Sequence, residues 1–172
     1  VADEYDPLKV DSIANVQSVD LSLIDVARDR EVPIRVYLPP ENAGEPKRTP
    51  QPIVLFSHGL GGSRAGSPFL GKHWAARGYV AVFLQHPGSD ESVWKDQPLA
   101  KRMAAMRSAA SGKNYLLRAQ DVPAVLDQLA KWNGQTGHEL AGRLDARTVG
   151  MSGHSFGGHT TQAVAGQKFP LG

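Results

Sequence analysis

The sequence predicts an α/β protein, a mostly parallel sheet with helices flanking it. Three observations carry this. Residues 53–56 and 79–84 are continuous apolar runs, as strands covered on both faces require, and 146–151, apolar over Val149–Met151, reads as a third core strand. Segments at helical spacing separate those runs, and two alternating strands precede them, giving the order β-β, then β-α-β-α-β-α. The 172 residues, 41% hydrophobic and 21% charged, are enough for one packed domain or part of a larger one.

The elements follow in order. Residues 1–17 read as an irregular arm, with one domain from 18 to 172. In 19–26, Val19, Leu21 and Leu23 alternate with Asp20 and Ser22, and in 32–38 Val32, Ile34, Val36 and Leu38 alternate likewise, as half-buried antiparallel strands do. Residues 39–52 are a polar, Pro-rich loop. After the strand at 53–56 comes a Gly-rich turn at 59–63, then a helix over about 69–77 that Gly78 stops. The strand at 79–84 leads into 86–96, whose Pro, Gly, Ser and Asp residues read as a surface loop. A helix is expected over 99–110. In the next one Tyr115, Ala119, Val122, Leu126, Leu129 and Ala130 recur at helical spacing, with Pro123 kinking or breaking it. Residues 133–143 read as loop, 146–151 as a third core strand and 155–167 as a helix.

Composition excludes several classes of function. There is no Cys, hence no disulfide, zinc-thiolate site, Fe–S cluster or Cys nucleophile. The formal net charge of +2 gives no reason to expect nucleic acid. No apolar run approaches the roughly 20 residues that cross a bilayer, and no spacing suggests a metal or cofactor site. The chain begins Val1-Ala2-Asp3 without Met or a signal peptide, which is expected of a trimmed product. Removal of an export signal would account for it and favours a secreted or periplasmic location; other trimming or proteolysis would account for it equally.

The chemistry concentrates in Gly153-His154-Ser155-Phe156-Gly157, which matches G-x-S-x-G, the nucleophile elbow. Such a turn between strand and helix is so sharp that Ser155 must take a strained backbone conformation. Gly153 and Gly157 flank it because a Cβ there would strike neighbouring backbone. The turn also sets the hydroxyl at a helix N-terminus, where developing negative charge is stabilised. Apolar residues before the motif and helix-compatible residues after it supply the context that a chance Gly/Ser loop lacks. A second segment, Ser57-His58-Gly59-Leu60-Gly61-Gly62, follows the strand at 53–56. An oxyanion hole takes one amide from the residue after the nucleophile, Phe156, and one from such a loop, here Leu60.

Phe56-Ser57-His58-Gly59-Leu60-Gly61-Gly62 together with Gly153-His154-Ser155-Phe156-Gly157-Gly158 resembles the platelet-activating-factor acetylhydrolase and dienelactone-hydrolase-like group of α/β-hydrolases. Trp74-Ala75-Ala76-Arg77-Gly78-Tyr79-Val80 and Gln85-His86-Pro87-Gly88-Ser89-Asp90 fit the same group, and the similarity runs from about residue 19 to 167. The resemblance implies an α/β-hydrolase fold and a serine esterase acting on a small ester substrate. It makes Ser155 the nucleophile and Leu60 and Phe156 the oxyanion donors. True dienelactone hydrolases carry Cys at the elbow, so Ser155 departs from that activity.

Other residues keep structural readings. His58 precedes the nucleophile and is expected to hold its loop through a backbone hydrogen bond. His154 packs or bonds locally. His159, one turn past Ser155, is badly placed as a base. Arg118 and Asp121, spaced i, i+3, read as a helix-surface or loop-anchoring pair. Gly88-Ser89-Asp90 either lines the pocket or forms a solvated turn, Arg64 either borders the cleft or faces water, and Trp74, Trp94 and Trp132 belong to core or cleft.

A serine nucleophile requires a base and an orienting acid. Beyond Ser155 the chain holds no Asp or Glu, and His159 is its only His. The resemblance places acid and base after later strands. The chain is therefore expected to be only the N-terminal part of the fold, ending after the elbow helix. A C-terminal companion chain would supply the acid, the His and the remaining strands, and activity would need that assembly. Two alternatives stand beside the esterase: a non-catalytic remnant acting as a binding module, which has no reason to keep a strained Ser, and a serine peptidase, which only a substrate assay separates.

Overall fold

The computed structural model describes residues 13–40 and 49–167. The arm expected at 1–17 and the loop at 39–52 thus lie in part outside the described residues. Strands β1 (Gln17–Asp25), β2 (Arg30–Leu38), β3 (Gln51–Ser57), β4 (Val80–Leu84) and β5 (Leu144–Gly153) form one sheet in the order β1-β2-β4-β3-β5. Helices α1 (Pro68–Ala76), α2 (Leu99–Ala109), α3 (Gly112–Gly134) and α4 (Phe156–Val164) follow the expected sequence order.

The tight turn after β1 forces β2 to return antiparallel. Asp25 caps this turn by accepting the Arg28 N–H, and Asp29 takes a left-handed φ of 46°. β2 then pairs antiparallel with β4, whereas β3 pairs parallel with β4 and with β5. The sheet is therefore mixed, which corrects the mostly parallel sheet expected for an N-terminal portion of the fold. The expected three-strand core is corrected too. β2 lies inside the sheet, with Val32, Ile34 and Val36 fully buried, and every residue of β4 is buried beside it. β5 pairs with β3 alone among the described residues, and Val149 on it is exposed.

Two cores result. Val32, Ile34, Leu55, Val82 and Leu84 pack against Val122, Val125 and Leu129 of α3. On the other side Tyr37, Phe56 and Phe83 pack against Ala75 and Trp74 of α1, with the Phe56 and Phe83 rings 4.7 Å apart. Pro123 does not break α3, which runs unbroken through it. The neighbouring buried residues Asp121, Val122 and Val125 hold both sides of the proline, so tertiary packing offsets the lost backbone hydrogen bond. Ser111 caps the helix by accepting the Asn114 N–H.

This arrangement delivers the carboxyl ends of β3, β4 and β5 to one rim of the sheet, where α4 begins.

Candidate active site

Ser155 joins β5 to α4 with φ 53° and ψ −116°, a left-handed backbone that non-glycine residues rarely hold. The flanking glycines are sterically required. A Cβ on Gly153 would lie far inside contact distance of the Gly157 carbonyl, and one on Gly157 would overlap the Ser57 carbonyl. The elbow read from the sequence is thus present, and it is seated directly on the end of β3.

Ser155 is exposed and lines a cavity of about 470 Å³ with Leu60, Gly61, Met106 and His154. The Gly59-Leu60 turn lies against the elbow: a Cβ built on Gly59 would sit 3.5 Å from Ser155 Cβ. Neither the Leu60 nor the Phe156 N–H has an acceptor among the described residues. The loop that carries Leu60 is fastened on its far side. The Gly61 N–H donates to the Ser89 carbonyl at 2.8 Å, the Glu91 N–H to the Gly62 carbonyl at 2.8 Å, and Trp94 Nε1 to the Gly61 carbonyl at 2.7 Å. Trp94 therefore serves the cleft, while Trp74 and Trp132 belong to the cores.

Below this floor lies a polar cluster that the sequence reading missed. Ser57 Oγ is 2.9 Å from His86 Nε2, and His86 Nδ1 is 2.9 Å from Asp121 Oδ2. Asp121 is an ionised acceptor, so His86 donates from Nδ1 and accepts the Ser57 hydroxyl at Nε2. This is the hydrogen-bond order of a Ser–His–Asp triad. All three residues are fully buried. Arg30 and Arg28 clamp the carboxylate of Asp121, with Arg30 Nε at 2.7 Å and Arg28 Nη1 at 2.9 Å.

That series overturns several expectations. The acid and the histidine of a Ser–His–Asp set stand in this chain, hydrogen-bonded in series, so the lack of an acid and a base no longer makes it only the N-terminal part of the fold. The companion chain invoked to supply acid and His is withdrawn, and so is the condition that activity awaits a missing C-terminal part. The expected chain order Ser, acid, His places both partners beyond Ser155, whereas His86 and Asp121 precede it. His86 stood in a Pro/Gly/Ser/Asp segment read as a surface loop, yet His86, Ser89 and Asp90 are all buried. Arg118 and Asp121 are fully buried, which rules out the helix-surface reading; each instead anchors loop segments, Arg118 at Ser89 and the His58 carbonyl and Asp121 at His86, without pairing with the other. Helical phase is the signal that was available: Arg118 falls on the same stripe as Val122, Val125 and Leu129.

Burial governs the ionisation here. It pushes His86 down to about 4, against the pull of the Asp121 carboxylate. It likewise pushes His58 down to about 3, with His86 adding to the effect. His58 is held as expected. Nδ1 bonds the Gly59 carbonyl at 2.6 Å, and Nε2 accepts the His86 N–H at 3.1 Å. Burial alone would raise Asp121, but the hydrogen bonds from Arg30 and His86 outweigh it and hold the carboxyl at about 2. His154 and His159 have exposed side chains, and Arg64 reaches the Leu21 and Ile34 carbonyls, tying the first hairpin rather than facing the cleft.

The signs give a prediction for pH. Each buried histidine binds its proton only below its depressed value, whereas the unfolded chain binds it below about 6.5. Stability is therefore full above about pH 6.5 and falls as pH drops toward 4, by up to about 1.4 kcal/mol per pH unit for each histidine. Asp121 adds a further loss between its unfolded value of 3.8 and about 2. Thermal melts across pH 4–8 should show a plateau above 7 and a continuous decline below 6.5. A melting temperature constant down to pH 5 would contradict burial of neutral His86 and His58.

Among the described residues, no group of three or more His, Asp or Glu could hold a metal ion, and no helix is long and apolar enough to cross a membrane.

Comparison with known proteins fits this geometry. The sequence family described as platelet-activating factor acetylhydrolase, isoform II, matches residues 37–122, half of the chain, and the chain belongs to that family. The match spans β3, the Leu60 loop, His86, Arg118 and Asp121. Among solved structures, a ferulic acid esterase from Streptomyces cinnamoneus is similar, with a TM-score of 0.63 at 23% identity over 88% of this chain and 54% of that one. A cold-adapted esterase from an Arctic intertidal metagenomic library aligns with a TM-score of 0.58 at 20% identity, over 87% of this chain and 55% of that one. These likenesses establish the α/β-hydrolase fold, and the chain spans about half the length of the two esterases. Curated protein sequences give no match.

Proposed function

We propose that the protein is a serine hydrolase that cleaves small carboxylic esters through an acyl-enzyme on Ser155. The observation that carries this is the elbow: a serine held at φ 53°, exposed in a cavity beside two amides that lack acceptors. The hydroxyl attacks the ester carbonyl, losing its proton to solvent in the open cavity, and the N–H groups of Leu60 and Phe156 receive the oxyanion. The start of α4 adds its positive end. The alcohol then leaves with a proton taken from solvent, and water releases the acid and restores the Ser155 hydroxyl. Family membership and the likeness to two esterases support the ester class over the peptidase. An elbow that retains its strain argues against a module that only binds.

A second reading, attack by Ser57, is favoured by its 2.9 Å hydrogen bond to His86. Burial weighs against it, because Ser57 is wholly inaccessible to a substrate while Ser155 is open. On the first reading the Ser57–His86–Asp121 series is the rigid polar floor on which the elbow rests.

Rapid mixing with p-nitrophenyl acetate tests the mechanism. A burst of one p-nitrophenol per chain followed by slower turnover is expected, since formation of an acyl-enzyme precedes its hydrolysis. Absence of both burst and turnover would contradict the proposal.

A further inference from the structure

Arg118 is a fully buried cation on α3, and no carboxylate lies within ion-pair distance of it among the described residues. Burying a charge without a directly paired partner is costly unless its donors are all used. Here they are. Nη2 donates to Ser57 Oγ at 2.9 Å and also to the His58 carbonyl. Nη1 donates to Ser89 Oγ at 3.0 Å, and Nε to Thr160 Oγ1 at 3.1 Å. The guanidinium also lies over the Phe156 ring, 4.7 Å from its centre. One planar group thus grips the end of β3, the loop after β4 and the first turn of α4.

We propose that Arg118 is a positioning residue for the oxyanion site, a clamp that fixes the His58–Leu60 backbone against the start of α4 at Phe156. The two proposed donors belong to elements distant in sequence, so their convergence depends on whatever joins those elements. The His58 carbonyl is two residues before Leu60, and Thr160 is one helical turn beyond Phe156. Gripping both sides with one rigid fork sets their separation. The contact to Ser89 adds the segment whose carbonyl holds Gly61. A lysine would keep the charge but could not span the three directions, because its ammonium is a single point on a flexible stem.

The kinetic consequence rests on the ester-hydrolase reading, whereas the structural consequence does not. In Arg118→Lys the amide resonances of Leu60 and Phe156 should shift or broaden in a ¹⁵N–¹H spectrum, with those of β1 unchanged. On p-nitrophenyl acetate, kcat should fall by about 10²–10³-fold, the size of losing an oxyanion donor, with KM changed by less than about threefold. Thr160→Val is the milder variant if the lysine form does not fold. It removes one acceptor, should lower kcat by about tenfold, and should be rescued by Thr160→Ser. Unmoved Leu60 and Phe156 resonances in folded variants would overturn the clamp whether or not the protein turns over esters. A kcat preserved in an active parent's Arg118→Lys form, with only a lower melting temperature, would reduce Arg118 to a packing role and overturn it too. An inactive parent whose variants still shift both amides would sink the ester reading and leave the clamp standing.

Discussion

Replacing Ser155 by alanine is expected to reduce ester hydrolysis by about 10⁴–10⁶-fold while the protein stays folded. The size follows from serine hydrolases in general, where loss of the nucleophile leaves only the catalysis supplied by the oxyanion site and binding. Stability should not fall. The side chain of Ser155 makes no capping hydrogen bond to α4, and its left-handed backbone is strained with either residue. The matching change at Ser57 should behave in the opposite way. Ser57 Oγ accepts from Arg118 and donates to His86, so Ser57→Ala leaves two buried groups short of a partner, costing about 1–3 kcal/mol. Kinetics and thermal melts on the two variants separate the roles. A large kinetic loss belongs to Ser155, and a loss of melting temperature belongs to Ser57.

The second large effect is steric. Gly157→Ala puts a methyl group into the Ser57 carbonyl, which belongs to β3 and is itself a hydrogen-bond acceptor for the His154 N–H. Neither side can yield cheaply, because β3 is paired on both edges and α4 is anchored through Thr160 to Arg118. The cost is expected at about 3 kcal/mol or more. For a chain of this size that lowers the melting temperature by at least about 6–12 °C. Calorimetry on the variant checks it. A melting temperature within 2 °C of the parent would mean that α4 can slide off β3, and the elbow would not be the rigid element described.

How far the sequence could be read depended on how local each feature is. The elbow was legible because its causes are adjacent: two glycines that must lack Cβ atoms, an apolar strand before them and a helix after. β3 and β4 were legible as continuous apolar runs, since strands buried on both faces leave no alternation. The mixed sheet was not, because the direction of β2 relative to β4 is set by pairing between segments more than forty residues apart. His86 and Asp121 were misread for a related reason. His86 follows a fully buried strand at its carboxyl end, yet its Pro and Gly neighbours look solvent-facing. Asp121 sits on a helix whose face is decided by what packs against it. Arg118 shows the same limit: the i, i+3 spacing to Asp121 left a helix-surface and a loop-anchoring pair equally open, while both residues are buried and bond to different partners.

The central claim is that Ser155 is the residue that carries the acyl group. A fluorophosphonate probe, incubated with the folded protein at pH 7.5 and followed by peptide mass spectrometry, tests it most directly. The account predicts a single adduct on the peptide containing Gly153-His154-Ser155, formed in a time-dependent way and absent from Ser155→Ala. An adduct on Ser57, or an unlabelled protein that still hydrolyses esters, would contradict it.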